Sequence, residues 1–159
     1  SIRKTYEAPI ALNTILTVSL FLEASKEFIT SRRFFEILGI APPPNLIQAL
    51  DDNFTFGVYY FKKNNPFLIL KIHSLDLALS GALSWEKNMT NNLKDVLPIS
   101  IPVNQNFQDK TISNRDTRIL YGADDNPVLI YALSNQQYLV ISTDIDTFNE
   151  IVRRLSSPR

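Results

Sequence analysis

FTFGVYYFKKNNPFLILKIHSLDLALSGALSWEKNMTNNLKDVL, running from Phe54 to Leu97, is the stretch that decides how this chain folds. Its first half alternates. Phe54, Phe56, Val58 and Tyr60 share one parity, and beyond KKNN so do Leu68, Leu70 and Ile72, the period of two that a pleated strand imposes. The opposite parity carries Thr55, Gly57, Tyr59 and Phe61, then Phe67, Ile69, Lys71 and His73. Both faces are more apolar than water-washed strands require, so this hairpin is expected to be central or covered on its second side. Gly57, lacking a side chain, marks a bulge or a close approach. At Ser74 the period changes. Ala78, Ala82, Trp85, Met89, Leu93 and Val96 step by three or four along an amphipathic helix, with Ser74 as its cap and Asp76 in its electropositive first turn. Gly81 and Ala82 predict close approach of that helix to the sheet. Trp85 and Glu86 read as a buried anchor beside an exposed partner, and Pro98 closes the element.

A weaker copy follows. Asp124-Asp125-Asn126 echoes Asp51-Asp52-Asn53, NPVLIYAL and QYLVIST echo the two strands, and DIDTFNEIVRRL echoes the helix. This gives tandem ββα units over residues 51–97 and 124–156. In the second helix Ile145, Phe148, Ile151, Val152 and Leu155 form the inner stripe, and Thr143 with Asp146 suggests a capping box. Upstream, residues 1–9 read as a tether to a single domain spanning 10–159. Ile10 to Leu22 alternates like a half-buried strand, with its core from Ile15 to Phe21. Ala24, Phe28, Ser31, Phe35 and Leu38 then fit one helical face, ended by Gly39. Pro42-Pro43-Pro44 forbids continuation and reads as a stiff connector rather than a docking peptide. Asn45 is the expected cap of a short helix through Leu50. Residues 98–116 mix proline with Asn and Gln, so any strand there is short or at an edge. The expected fold is α+β: a mostly antiparallel sheet of about six strands with helices packed on it.

Composition narrows the function classes. Sixteen basic residues balance sixteen acidic ones, which argues against nucleic acid, because phosphate binding needs a positive surplus. Lys62-Lys63, Arg32-Arg33 and Arg153-Arg154 read as solvated surface. The absence of cysteine excludes disulfides, thiolate catalysis and thiolate zinc sites. No apolar run reaches the length of a bilayer span, no signal peptide is visible, and the chain opens without methionine, so a processed piece of a longer protein is expected. No nucleotide-binding loop, nucleophile elbow or zinc motif occurs. The single histidine, His73, sits at a strand end beside Ser74 and Asp76, where adjacent side chains diverge, so no catalytic relay is expected. Asp51-Asp52 and Asp124-Asp125 would make a cation site only if the two turns met, and turn chemistry explains them without a metal. Tyr59, Tyr60, Phe61 and Phe67 form either an exposed aromatic patch or a sheet packed on both sides. In the first case Tyr59, Phe61 and Phe67 are the interface residues.

The run Pro42 to Met89 resembles sequences in uncharacterised membrane-anchored envelope proteins of candidate-phylum bacteria. The resemblance is carried by Pro42 to Pro44, Leu46, Leu50, Gly57, Pro66 to Ile69, Trp85 and Glu86, and by the ending ISTDIDTFNEIVRRL; it covers most of residues 42–155. It implies an N-terminal membrane helix outside this chain, carrying an extracytoplasmic domain. No activity comes with it. The resulting expectation is a non-enzymatic interaction or assembly domain, without cofactor or metal, that binds a protein partner or itself. The alternative is a small-molecule or ion-sensing domain with its site between the two ββα units.

Overall fold

In a computed structural model that describes residues 15–18, 21–22 and 27–156, the hairpin of the opening stretch lies within an open antiparallel sheet. Strands β1 (Ile15–Val18), β2 (Phe21–Leu22) and β3 (Glu27–Phe28) precede helices α1 (Ser31–Leu38) and α2 (Pro44–Ala49). Then come β4 (Leu50–Phe61), β5 (Lys63–Ile72), α3 (Leu75–Leu93), β6 (Gln108–Ile112), β7 (Arg115–Tyr121), β8 (Pro127–Ser134), β9 (Tyr138–Ser142) and α4 (Ile145–Ser156). The sheet order is β1-β4-β5-β9-β8-β7-β6. Six of these strands, β4 to β9, carry the expected α+β sheet, and β1 adds a seventh at the β4 edge. β2 and β3 pair only with each other. The expected tether and the side-chain alternation of Ile10 to Leu22 lie outside the described residues.

Alternation along each strand sorts the core into two layers. Leu68, Leu70, Leu129, Tyr131, Leu139 and Ile141 pack under α1, α2 and α3. Phe67, Ile69, Ile130, Ala132 and Val140 point the other way and meet Phe148, Ile151 and Val152 of α4. The second face of the hairpin is therefore covered, which explains why both its parities are apolar. Both hairpins run directly into a helix, β4–β5 into α3 and β8–β9 into α4. Yet the two helices cover opposite faces. Exchanging the antiparallel neighbours β5 and β9 requires a twofold axis normal to the sheet, and such an axis would leave both helices on one face.

Local chemistry accounts for most element ends. Ser74 accepts from the Leu77 N–H at 3.4 Å, and Gly39 closes α1 at φ 71°. Four expectations shift. The first helix begins at Ser31 rather than Ala24, because Thr30 caps it through Arg33 N–H and Phe28 belongs to β3. The second helix starts at Pro44, which needs no N–H partner in a first turn, and Asn45 instead donates to Ser80 Oγ at 3.0 Å. α4 is capped by Asp144, whose carboxylate accepts from Thr147 N–H at 3.0 Å, rather than by Thr143. The KKNN turn also shrinks to Lys62, since pairing runs through Tyr59↔Asn65 to Phe61↔Lys63. Buried Asn65 clasps that tip, its amide reaching the carbonyl oxygens of Tyr59, Phe61 and Lys63 at 3.2, 3.2 and 2.9 Å.

Gly57 is a close approach. It faces Phe67 across the ladder, and a Cβ placed there would lie 2.4 Å from Phe67 Cζ. The ring has little room to retreat, being 1% exposed beneath α4. Gly57→Ala is therefore expected to destabilise the fold by about 1–3 kcal/mol through overpacking, read as a lowered urea midpoint at unchanged slope. An unchanged midpoint would show that the ring has somewhere to go.

Candidate interaction groove

α3 has two apolar stripes. The first, Ala78, Ala82, Trp85, Met89 and Leu93, is buried on the sheet and on its neighbours, with the Trp85 indole edge-on to Phe35 at 5.8 Å. The second comprises Leu75, Leu79 and Leu83, one helical turn apart. These leucines stay 38%, 45% and 43% exposed. They form one wall of an open groove of ≈ 1160 Å³, whose floor is Tyr131 to Leu133 of β8 and whose far side is the β6–β7 hairpin. The groove exists because the helices stop short. α1, α2 and α3 cover the sheet as far as β8 and the Leu120 end of β7, and beyond the Glu86–Arg118 pair they leave β6 and the Asp116 end of β7 without a covering helix.

A polar cluster fixes one end of the groove. Glu86 on α3 receives Arg118 of β7 in a two-pronged ion pair, Nη2 to Oε1 and Nε to Oε2, both at 2.7 Å. The Tyr131 hydroxyl donates to Glu86 Oε2 at 2.5 Å, and Arg118 Nη1 reaches Asp109 of β6 at 2.9 Å. Phe107 packs edge-on to Tyr131 behind it, at 5.7 Å. The Glu86 side chain is 13% exposed and that of Arg118 23%, whereas Asp109 is 89% exposed. Hydrogen bonding to Glu86 raises the pKa of Arg118 and keeps it charged. Burial first, and then the hydrogen bond to Glu86, pushes the Tyr131 phenol well above its ordinary range. Each strand partner in the row Asp109↔Arg118↔Tyr131 points to the α3 side. The neighbouring row, Thr111↔Asp116, shares that face. Lys110 and Arg115 lie on the opposite parity, where Arg115 Nη2 donates to Ser156 Oγ of α4 at 3.3 Å.

The residues singled out from sequence fall elsewhere. Tyr59 and Phe67 are buried in the α4 layer at 6% and 1% exposure and offer no surface to a partner. Phe61 is half-buried, stacked on Tyr59 at 6.2 Å, with Lys62 Nζ 5.5 Å from its ring. The aromatic face is thus core, and the interface expected there has its surface taken by α4. His73 is exposed, and Ser74 spends its hydroxyl on the α3 cap, so no relay forms. Asp51-Asp52-Asn53 makes an irregularity inside β4, where pairing jumps from Leu50↔Ile72 to Phe54↔Leu70. Asp124-Asp125 forms the turn before β8, at the opposite end of the sheet. The turns do not meet, and no acidic or histidine cluster able to hold a metal occurs among the described residues. The junction of the two hairpins is a continuous ladder, Leu68↔Ile141 to Lys71↔Tyr138, packed by Leu68 and Ile141 on one side and Ile69 and Val140 on the other. Arg32 and Arg33 are exposed, and Arg153 and Arg154 both pair with Glu150 on the α4 surface.

Sequence reasoning missed the groove and its clamp. The leucine signal was present as a second i, i+4, i+8 series. So was the clamp signal, because Arg118 shares the core parity of Leu120 and a charge there demands a partner.

Comparison with protein-family models, with curated proteins and with solved structures finds no match for the chain. Fold and groove together define it as an α+β domain with an open antiparallel sheet and a leucine-walled cleft. Among the described residues, no helix is long and apolar enough to cross a membrane.

Proposed function

We propose that this chain is a non-enzymatic protein-interaction domain and that the groove beside α3 is its contact surface. The observation that carries this reading is the leucine wall. Leu75, Leu79 and Leu83 remain part-exposed along an open cleft, while α3's other stripe and the Tyr59 and Phe67 side chains of the aromatic hairpin face are consumed by the protein's own packing. Contiguous apolar side chains rimmed by polar ones mark contact sites. The clamp of Glu86, Arg118 and Tyr131 supports the reading by holding one end of the cleft in shape without a ligand. Presentation outside a bacterial membrane, by a segment upstream of this chain, rests on the resemblance of residues 42–155 alone.

The test is a photo-crosslinking amino acid at position 79, introduced in the cells that make the protein. A discrete protein adduct is expected at position 79 and none at Lys62 on the hairpin tip. Adducts at neither position, or equally at both, would remove the groove as a contact surface. Leu79→Asp is expected to abolish adduct formation by a crosslinker at Leu83 while changing stability by no more than about 0.5–1 kcal/mol, since the side chain is already half in water.

A further inference from the structure

We infer that the groove takes the 101–103 loop of a second copy of this chain, with Ile101 and Val103 packed on the wall of Leu75, Leu79 and Leu83, so that copies associate loop to groove; this rests on the interaction reading above. Ile101, at 89%, is the most exposed large apolar side chain among the described residues, and Val103 two positions on is 70% exposed. Both are held in place. Pro102 forms an antiparallel bridge with Gly122 just past β7, and the Val103 N–H donates to the Tyr121 carbonyl oxygen at 3.0 Å. The segment is therefore extended, with half-buried Pro102 turned one way and Ile101 and Val103 presented together on the other. Because the loop is already ordered, docking it costs little conformational entropy.

Spacing is the second argument. Side chains two apart on an extended segment repeat at about 6.6–6.8 Å, and leucines four apart on a helix at about 6 Å. Two knobs at the first pitch seat in the two notches that three leucines leave at the second. Placement is the third argument. The loop lies past the Tyr121 end of β7, whereas the groove extends to Asn114 and Arg115 at the other end, about 23 Å away by strand rise. The Pro102–Gly122 bridge keeps a copy from filling its own groove with its own loop. Joined between copies, the two surfaces make a contact that closes as a ring or grows as a chain.

Charge agrees with this pairing. The turn beside the loop carries exposed Asp124 and Asp125. Lys110 and Arg115 line the groove with Asp116, and the other opposite charges there, Arg118 and Asp109, are already joined to each other. The competing occupants fit less well. A groove-to-groove pair of copies would leave Ile101 and Val103 in water, and a helix with flanks of one sign would meet cations and carboxylates mixed on the shelf. An extended strand added to the outer edge of β6 would use backbone groups and leave the leucines bare.

The experiment is sedimentation equilibrium on the whole chain from about 10 μM to about 1 mM, since a contact smaller than a standard interface is expected to be weak. The average mass of the parent is expected to rise with concentration. Leu79→Asp, and separately the double variant Ile101→Asp/Val103→Asp, are each expected to stay monomeric, with circular dichroism reporting both folded. Mixed in equal amounts, they are expected to associate again into heterodimers and go no further, because the first keeps its loop and the second its groove. A parent that stays monomeric throughout, a loop variant that associates like the parent, or a mixture that stays monomeric overturns the proposal. Crosslinking at position 79 separates this proposal from the reading beneath it. An adduct with a second copy supports both; an adduct with a different protein beside a monomeric parent keeps the contact surface and removes self-association; no adduct beside a monomeric parent removes both.

Discussion

Gly81→Val is expected to be the most damaging single substitution in the helical layer, lowering stability by about 3 kcal/mol or more, at or beyond the upper end for an overpacked core. A Cβ at Gly81 would lie 2.4 Å from the Leu46 backbone nitrogen and 2.7 Å from Leu46 Cα and Cβ. The nitrogen and Cα are backbone atoms of α2 and the Cβ is fixed to them, so none is the tip of a flexible side chain, and Leu46 is fully buried. Relief requires α2 to move off α3, pulling Leu46 and Ala49 from the core they share with Trp85. Gly81→Ala isolates the steric part. In an open helix it would gain roughly 1 kcal/mol of propensity, so a net loss at this position measures the clash. At about 2–4 °C per kcal/mol for a chain of this size, the valine variant is expected to melt roughly 10 °C lower. Ser84→Ala, on the exposed face of the same helix, is the control and is expected to stay within about 0.5 kcal/mol of the parent. A valine variant that melts like the parent would show that α2 and α3 are not in backbone contact.

Gly81 also shows how far the sequence carries a reader. Its smallness predicts close packing, and close packing is found, but against α2 rather than against the sheet. Periodicity reports which face of an element is apolar and not what covers that face. The same limit applies to Tyr59, Phe61 and Phe67. Their parity shows a second apolar face on the hairpin, yet only the hand of the connection after β9 puts α4 there and turns an expected interface into core. The opening helix fails for a different reason. Ala24 to Leu38 keeps helical spacing throughout, but spacing over so few residues does not separate strand from helix, and the Thr30 hydroxyl decides the start. The long stripes of α3 and α4 were legible because each repeats its period several times, and β8 and β9 were legible as short apolar runs bounded by turn residues that echo the first hairpin. The groove was not, because it is an absence of covering helix over β6 and the Asp116 end of β7, and those residues lie in the stretch with the weakest pattern. Its leucine wall was visible as letters, but three leucines off a helix's main stripe acquire meaning only when the structure leaves them in the open.

Arg118→Ala is expected to cost about 2–4 kcal/mol, the lower part of the range for breaking a buried ion pair, because Arg118 keeps some contact with water. The loss exceeds that of an ordinary surface pair because Glu86 stays behind, 13% exposed, with only the Tyr131 hydroxyl to stabilise its charge. Glu86→Gln, which removes the charge and keeps the shape, is expected to cost less, and the double variant Glu86→Gln/Arg118→Met less than Arg118→Ala alone. A cycle that adds without coupling would show that the pair contributes nothing as a pair. Tyr131 supplies a pH signature for the same cluster. Its folded phenol titrates above the unfolded value of about 10, so its share of stability is complete below that pH. Above pH 10 the unfolded chain releases the proton while the folded one holds it, and that share is progressively lost. Urea midpoints of the parent are therefore expected to fall on the alkaline side, and those of Tyr131→Phe to fall less steeply. The clamp joins α3 to β7 across the groove, so its loss bears on binding as well as on stability. Arg118→Ala releases both Asp109 and Glu86 and so loosens the tie between β7 and the α3 wall that carries Leu83. If the groove is a contact surface, this variant is expected to weaken crosslinking from position 79 relative to the parent. Unchanged crosslinking would separate the clamp from the contact surface and confine it to holding α3 on the sheet.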